Sequence, residues 1–311
     1  MLYFYKYFSL KTITSSFTTL NNLHFSHFFT LFCVIFSFFS SDFLQNLISA
    51  IGILTFGILH GANDLKILAK KNIYSNSFLA LPLWLVYIGI VFLGLFVFYF
   101  IPAIALLIFV LVSCYHFGEQ HLVKNTKLKK LKYLFFTSYG VIIFSLLFIF
   151  NIESVNKVIF QIASIQVPCH LFVFLLITSS SVFLSFFIID KSLVKNLFLE
   201  IVLLFFLGII FNTSTLLFGF GFYFVIWHSL PSLSSQIKFL YQDETYNPYI
   251  KYLKQAFFYW ILAIAGLFGF YVLQVVPQEQ YLSIFFSFLA GITFPHVIVM
   301  GLMFNSNKSV T

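Results

Sequence analysis

The sequence predicts an all-α, polytopic integral membrane bundle of about ten transmembrane helices. Three observations predict it. The mean hydropathy is +1.01, and only 8% of residues are charged, which no soluble domain matches. Apolar segments run from about residue 25 to residue 304 with no polar domain between them. Stretches such as LPLWLVYIGIVFLGLFVFYF (81–100) do not alternate polar with apolar residues, as strands of a transmembrane barrel would.

Taken in order, residues 1–22 form a polar segment carrying Lys6 and Lys11, in which no small-residue cleavage site stands out. A single transmembrane domain is expected over residues 23–304, with a short tail at 305–311. The first predicted span is 23–41, and the second, 43–62, is followed by Lys66, Lys70 and Lys71. The third is 78–100, and the fourth, 102–120, runs into a loop with Lys124, Lys127, Lys129, Lys130 and Lys132. The fifth (133–150) and sixth (167–189) flank Lys157, and Lys191 and Lys195 follow the sixth. The seventh (197–212) and eighth (214–231) are short, joined by NTST, and read as a helical hairpin. Lys238, Lys251 and Lys254 precede the ninth (256–276), and Lys308 follows the tenth (281–304).

All but one of the 17 lysines therefore fall on one side, Lys157 being the exception. The positive-inside rule places that side, with both termini, in the cytoplasm. The expected location is the inner (plasma) membrane, crossed many times. The net charge of +8 does not point to nucleic acid, because topology already explains the lysines. Arginine is absent, and 48 Phe beside many Ile and Asn look like an AT-rich coding bias rather than an aromatic binding pocket. Cys33, Cys114 and Cys169 lie in or beside apolar segments without zinc-site spacing, so free thiols are expected.

The chemistry lies in the eight histidines. His60 ends span two, His116 and His121 end span four, and His228 ends span eight, all at the cytoplasmic face. His296 lies in the cytoplasmic half of span ten, and His24 and His27 begin span one on the same side. His170 stands alone at the outer face. Hydrocarbon offers imidazole no water to bond, so a membrane histidine needs a partner. Several at one depth suggest a shared metal.

In HGAND, Asp64 follows His60 by four residues, so a helix would put both on one face and the carboxylate could fix the tautomer of His60. Gly61 would admit a neighbouring helix. In HFGEQH, His116 and His121 are about 140° apart around a helix, which favours His116 as ligand and His121 as a supporting or surface group. Glu119, one turn from His116, could orient it. In WHSLPSL, Pro231 marks a helix end or kink just after His228. In FPHVIVM, Pro295 frees a backbone carbonyl beside His296, which could take the imidazole as its partner instead of a metal. His170, His24 and His27 read as interfacial.

All-imidazole ligation suits zinc, copper or iron. A zinc hydrolase would more often carry a carboxylate ligand, as in HExxH, and that motif is absent. Four neutral imidazoles leave iron(II) its full charge and up to two open positions for O2 beside a greasy substrate. The HxxxH and HxxHH boxes of membrane di-iron desaturases do not occur.

The order HGAND, YHFGEQH, WHSLPSL, PHVIVM, in a multispan context over roughly residues 45–304, resembles the bacteriorhodopsin-related-protein-like family of β-carotene 15,15′-dioxygenases. The resemblance implies Fe(2+), O2 as co-substrate, and cleavage of the central C15=C15′ bond of β-carotene to two all-trans-retinal. It also implies retinal supply to a microbial rhodopsin. By motif, His60, His116 and His228 match iron-ligand positions of the family. The third motif of the family often holds a second histidine four residues after the first, and here that residue is Ser232. His296 could supply the fourth ligand, or the site could have three. Two other readings stay open: a non-catalytic carotenoid- or retinal-binding paralogue, and a histidine-based proton or metal transporter. A transporter would spread its polar groups across the bilayer and often show internal repeats, and no convincing repeat is present.

Overall fold

A computed structural model describes residues 25–70, 82–123, 128, 131–241, 247–272 and 277–306. It is an all-α bundle. In chain order its helices are α1 (Phe25–Phe39), α2 (Asp42–Gly57), α3 (Asp64–Lys70), α4 (Leu83–Phe100), α5 (Pro102–Leu122) and α6 (Lys132–Phe150). They continue as α7 (Ile152–Ala163), α8 (Cys169–Ile189), α9 (Val194–Thr213), α10 (Leu216–Tyr241), α11 (Pro248–Val272) and α12 (Tyr281–Ser306). Seven of them, α4, α5, α6, α8, α10, α11 and α12, are long and apolar enough to cross a membrane. Three shorter apolar helices, α1, α2 and the Leu197–Thr213 part of α9, complete the ten segments expected from the sequence.

Local chemistry explains most helix starts. Ser41 caps α2 by accepting the Leu44 N–H, and Thr215 caps α10 by accepting the Phe218 N–H. Pro102 opens α5 at a position whose N–H has no helical partner anyway. At the lysine-rich end, the Lys70 ammonium closes α3 onto α10 by donating to the Phe239 and Leu240 carbonyls, at 2.8 and 2.9 Å.

Two features depart from the expected segments. Amphipathic α7 lies between the fifth and sixth spans, where only a loop was expected, and buries Val155 and Val158 while exposing Glu153 and Lys157. The chain leaves it through Ser164 in the left-handed region (φ 56°), and the Asn156 amide pins Val167 by two hydrogen bonds. In addition, Pro231 does not end the eighth span. A π-helical turn, Tyr223–Ser229, precedes it, and the helix runs on to Tyr241. A wide turn of this kind accommodates a residue that has no N–H to donate.

The helices approach closely where small residues allow. A β-carbon on Gly118 would strike the Phe136 backbone, and one on Gly140 would strike the Cys114 backbone. These two glycines let α5 and α6 pack backbone to backbone on either side of His116. On the other flank, a β-carbon on Gly57 would sit 2.7 Å from the Phe224 ring, so α2 presses directly on α10.

Candidate metal centre

Four helical segments deliver one histidine each to a single point. α2 becomes π-helical over Ile53–Gly57 and ends in a turn that carries His60. α5 presents His116, the π turn of α10 presents His228, and α12 presents His296 one residue after Pro295. Each offers one ring nitrogen, and the four nitrogens lie within 4.8 Å of one another. The rings close a cycle. His60 meets His296 at 4.6 Å between centroids, His296 meets His116 at 5.2 Å, His116 meets His228 at 4.6 Å, and His228 meets His60 at 5.2 Å. All four contacts are edge to face, so none of these neighbouring rings stack. Exposure is 5% or less for every ring.

Two of the rings have their tautomers set by hydrogen bonds. His60 donates its Nδ1–H to the Gly57 carbonyl, and His296 donates its Nδ1–H to Asp64, at 3.0 Å to each carboxylate oxygen. In both, Nε2 is left as a lone-pair donor. His228 is positioned by packing instead. Phe117 stacks on its ring at 4.3 Å, and Phe224 lies nearly parallel to it at 5.6 Å.

The donor set fits a metal ion. Both nitrogens of His116, both of His228 and Nε2 of His296 are buried without a hydrogen-bond partner. Leaving a buried polar atom unpaired costs about 1–3 kcal/mol. A shared cation relieves several of these at once. Metal–imidazole bonds are roughly 2.0–2.1 Å, so nitrogens this close reach one ion with small inward movements. His60, His116, His228 and His296 are the residues that could hold it.

The structure places the remaining sequence candidates differently. Asp64 supports His296 rather than His60. The helix breaks into a turn over residues 60–63 and restarts at Asp64, so the shared face assumed for His60 and Asp64 does not form. The Tyr87 hydroxyl donates to the same carboxylate at 3.0 Å. Glu119 makes no hydrogen bond to His116 and accepts instead from the Tyr115 hydroxyl, at 2.6 Å. α5 does not end near Gly118, so His121 points away from His116. It bonds Glu200 at 3.0 Å and Tyr139 at 3.2 Å in a separate buried cluster. His296 takes Asp64, not the carbonyl freed by Pro295. His27 sets its ring edge against Trp227, His170 is exposed at the start of α8, and His24 lies outside the described residues. Gly61 is in ordinary contact with His296 and is not needed for a close approach.

Ser232 is fully buried and accepts from the Gln236 amide at 3.1 Å. The same amide donates to the His60 carbonyl at 2.6 Å, and the Tyr252 hydroxyl donates to the Gln236 oxygen at 2.8 Å. Asn63 in turn donates to the Tyr252 carbonyl, so this network holds the His60 turn from below. Sequence reasoning missed Tyr87, Gln236 and Tyr252. The i+4 polar stripe His228, Ser232, Gln236 was the available signal for Gln236.

A family profile described as beta-carotene 15,15′-dioxygenase matches residues 51–304, which include every histidine of the quartet. The chain belongs to the beta-carotene 15,15′-dioxygenase family. No curated protein and no solved structure matches the chain. In this dioxygenase family member, the matched region begins within α2 and closes at the end of α12, so it contains all four ligand-bearing segments.

Proposed function

We propose that this protein is a non-haem iron dioxygenase of the inner membrane that cleaves the central C15=C15′ bond of β-carotene. The products are two molecules of all-trans-retinal, available to a microbial rhodopsin. The observation that carries the reading is the buried histidine quartet, with nitrogens within 4.8 Å, in a chain of this family. His60, His116, His228 and His296 would hold iron(II), which would supply O2 activation.

The rest is work for the chain itself. His60 and His296 keep a lone pair directed inward because their other nitrogens donate to Gly57 and Asp64. Phe117 and Phe224 hold the His228 ring and keep water from it. No side chain has to give or take a proton, because the substrate and O2 together contain all the atoms of two retinals. A substrate this apolar enters from the bilayer. The lysine-rich side is cytoplasmic in this reading.

Ser232 at a position often filled by histidine favours one second reading, a paralogue that binds carotenoid or retinal without cleaving it. Metal content and O2 consumption separate the two. The test is expression in a bacterium that makes β-carotene. Loss of orange colour with appearance of retinal is expected. Intact carotenoid beside well-expressed, iron-loaded protein would reject the dioxygenase reading.

A further inference from the structure

On the side of the quartet away from the lysine-rich end, α5, α6, α7, α10 and α12 line a partly open cavity of about 80 Å³. One water needs roughly 10–15 Å³ on the same scale, so there is room for an organic group. Every lining residue is Leu, Val, Ile or Phe, and none can make a side-chain hydrogen bond. Such a space repels water and accepts hydrocarbon.

Three of the ligand-bearing helices also line this cavity. Phe109 precedes His116 by seven residues, Phe220 precedes His228 by eight, and Phe286 precedes His296 by ten. At 1.5 Å rise per residue these offsets put the cavity about 10–15 Å from the quartet. An aromatic wall joins the two. Phe220 stacks on Phe224 at 5.3 Å, and Phe224 lies parallel to His228 at 5.6 Å. Beside it in the same wall, Phe144 meets Phe117 at 5.3 Å, and Phe117 stacks on Phe224 at 5.8 Å and on His228 at 4.3 Å. The separation is that of one arm of a carotenoid, from its central double bond to its end ring.

We propose that this cavity seats one end ring of the polyene and so selects which double bond lies at the histidine quartet. The inference rests on the dioxygenase reading and adds a ruler to it. α7 is the adjustable wall. It contributes Val155 and Val158 and carries none of the four histidines, while packing against α5 and α12.

The test fills or enlarges the cavity in the full-length chain, with Val158→Trp and Leu106→Trp as filling variants and Phe148→Ala as the enlarging one. Detergent-purified protein is incubated with β-carotene without O2, and bound pigment per protein is measured. Products are then analysed after O2 is admitted, and iron per protein is recorded throughout. Filling should leave iron unchanged and reduce bound β-carotene about tenfold or more, the scale for denying an apolar ring its buried site. Residual product should be unequal, with the cavity-side fragment shorter than retinal and the other longer. Phe148→Ala should let the ring seat deeper and lengthen the cavity-side fragment, which keeps the test decisive if a Trp variant fails to fold.

Filling variants that keep iron, bind β-carotene like the parent and yield only retinal would overturn the proposal. So would a phospholipid retained by the parent in native mass spectrometry and lost from Val158→Trp while carotenoid binding is unchanged, since the cavity would then hold a lipid chain. If the parent cleaves nothing, the dioxygenase reading fails, yet the anaerobic binding arm still decides whether the cavity takes the ring.

Discussion

His296 and Asp64, 232 residues apart in sequence, form a buried imidazole–carboxylate pair at 3.0 Å, with Tyr87 donating to the same carboxylate. The pair ties the last helix to the turn that carries His60. It also leaves Nε2 of His296 as the only ring nitrogen able to face the other three histidines.

Asp64→Asn should therefore weaken metal binding without removing a ligand. Loss of a group that orients a metal-bound histidine typically lowers metal affinity 10–100-fold. Iron per purified protein, titrated against a competing chelator, should fall by that factor while helix content stays unchanged. Parental affinity in Asp64→Asn would show that the pair is not an orienting contact. Tyr87→Phe should act in the same direction and more weakly, because it removes one neutral donor.

The fourth ligand makes a second prediction. With Ser232 engaged by Gln236, His296 is the histidine that closes the ring cycle. His296→Ala should lower bound iron as severely as His60→Ala. Structural metal sites are worth on the order of 10 kcal/mol in total, so one ligand of four is worth several. Ser232→His places a histidine four residues after His228, and it should rescue His296→Ala only if the Gln236 contact to His60 survives. Full iron and activity in His296→Ala would leave a three-histidine site.

Which histidines come together was readable from the chain, because each sits toward the same end of its apolar segment. How each is held was not. Spacing assigned Asp64 to His60 through the i,i+4 rule, but a turn at residues 60–63 breaks the helix between them. The true partner arrives from α12, which no local pattern encodes. The π turns at Ile53–Gly57 and Tyr223–Ser229 escaped for a related reason. An apolar run hides its own periodicity, so one extra residue per turn leaves no trace in hydropathy. α7 escaped because its 12 residues are too few to cross a bilayer, so it leaves no span-length apolar run in the sequence.

The π turn in α10 should be required for the site. Deleting Val225 would convert the wide turn to an ordinary one and rotate everything after it by about 100° relative to everything before. His228 would then leave the quartet. The expected result is a folded protein with little bound iron. A deletion variant that keeps its iron would show that the register of this turn does not set His228.

Topology offers an independent check. Reporter fusions after Lys71, Lys132 and Lys254 should all signal the cytoplasm, as the distribution of lysines requires. An external signal from any one would mean an odd number of crossings between two of these loops. It would also contradict the ten-span topology expected from the sequence.

The last prediction concerns the contact that positions His116. Gly140 meets the Cys114 backbone and Gly118 meets the Phe136 backbone, so the segment of α5 bearing His116 is clamped against α6 at both ends. A β-carbon at Gly140 overlaps main-chain atoms, which cannot swing aside as a flexible side chain would. Gly140→Ala should therefore separate the two helices and cost about 1–3 kcal/mol, the usual range for an overpacked interior. Iron should fall with stability, because His116 moves with Cys114. Gly89 and Gly266 provide the control. Nothing lies within 4 Å of a β-carbon added at either. Alanine is also preferred over glycine within a helix by up to about 1 kcal/mol. Gly89→Ala and Gly266→Ala should leave iron unchanged and raise the melting temperature slightly. If Gly140→Ala behaves like these two, the α5–α6 contact does not hold His116 in place.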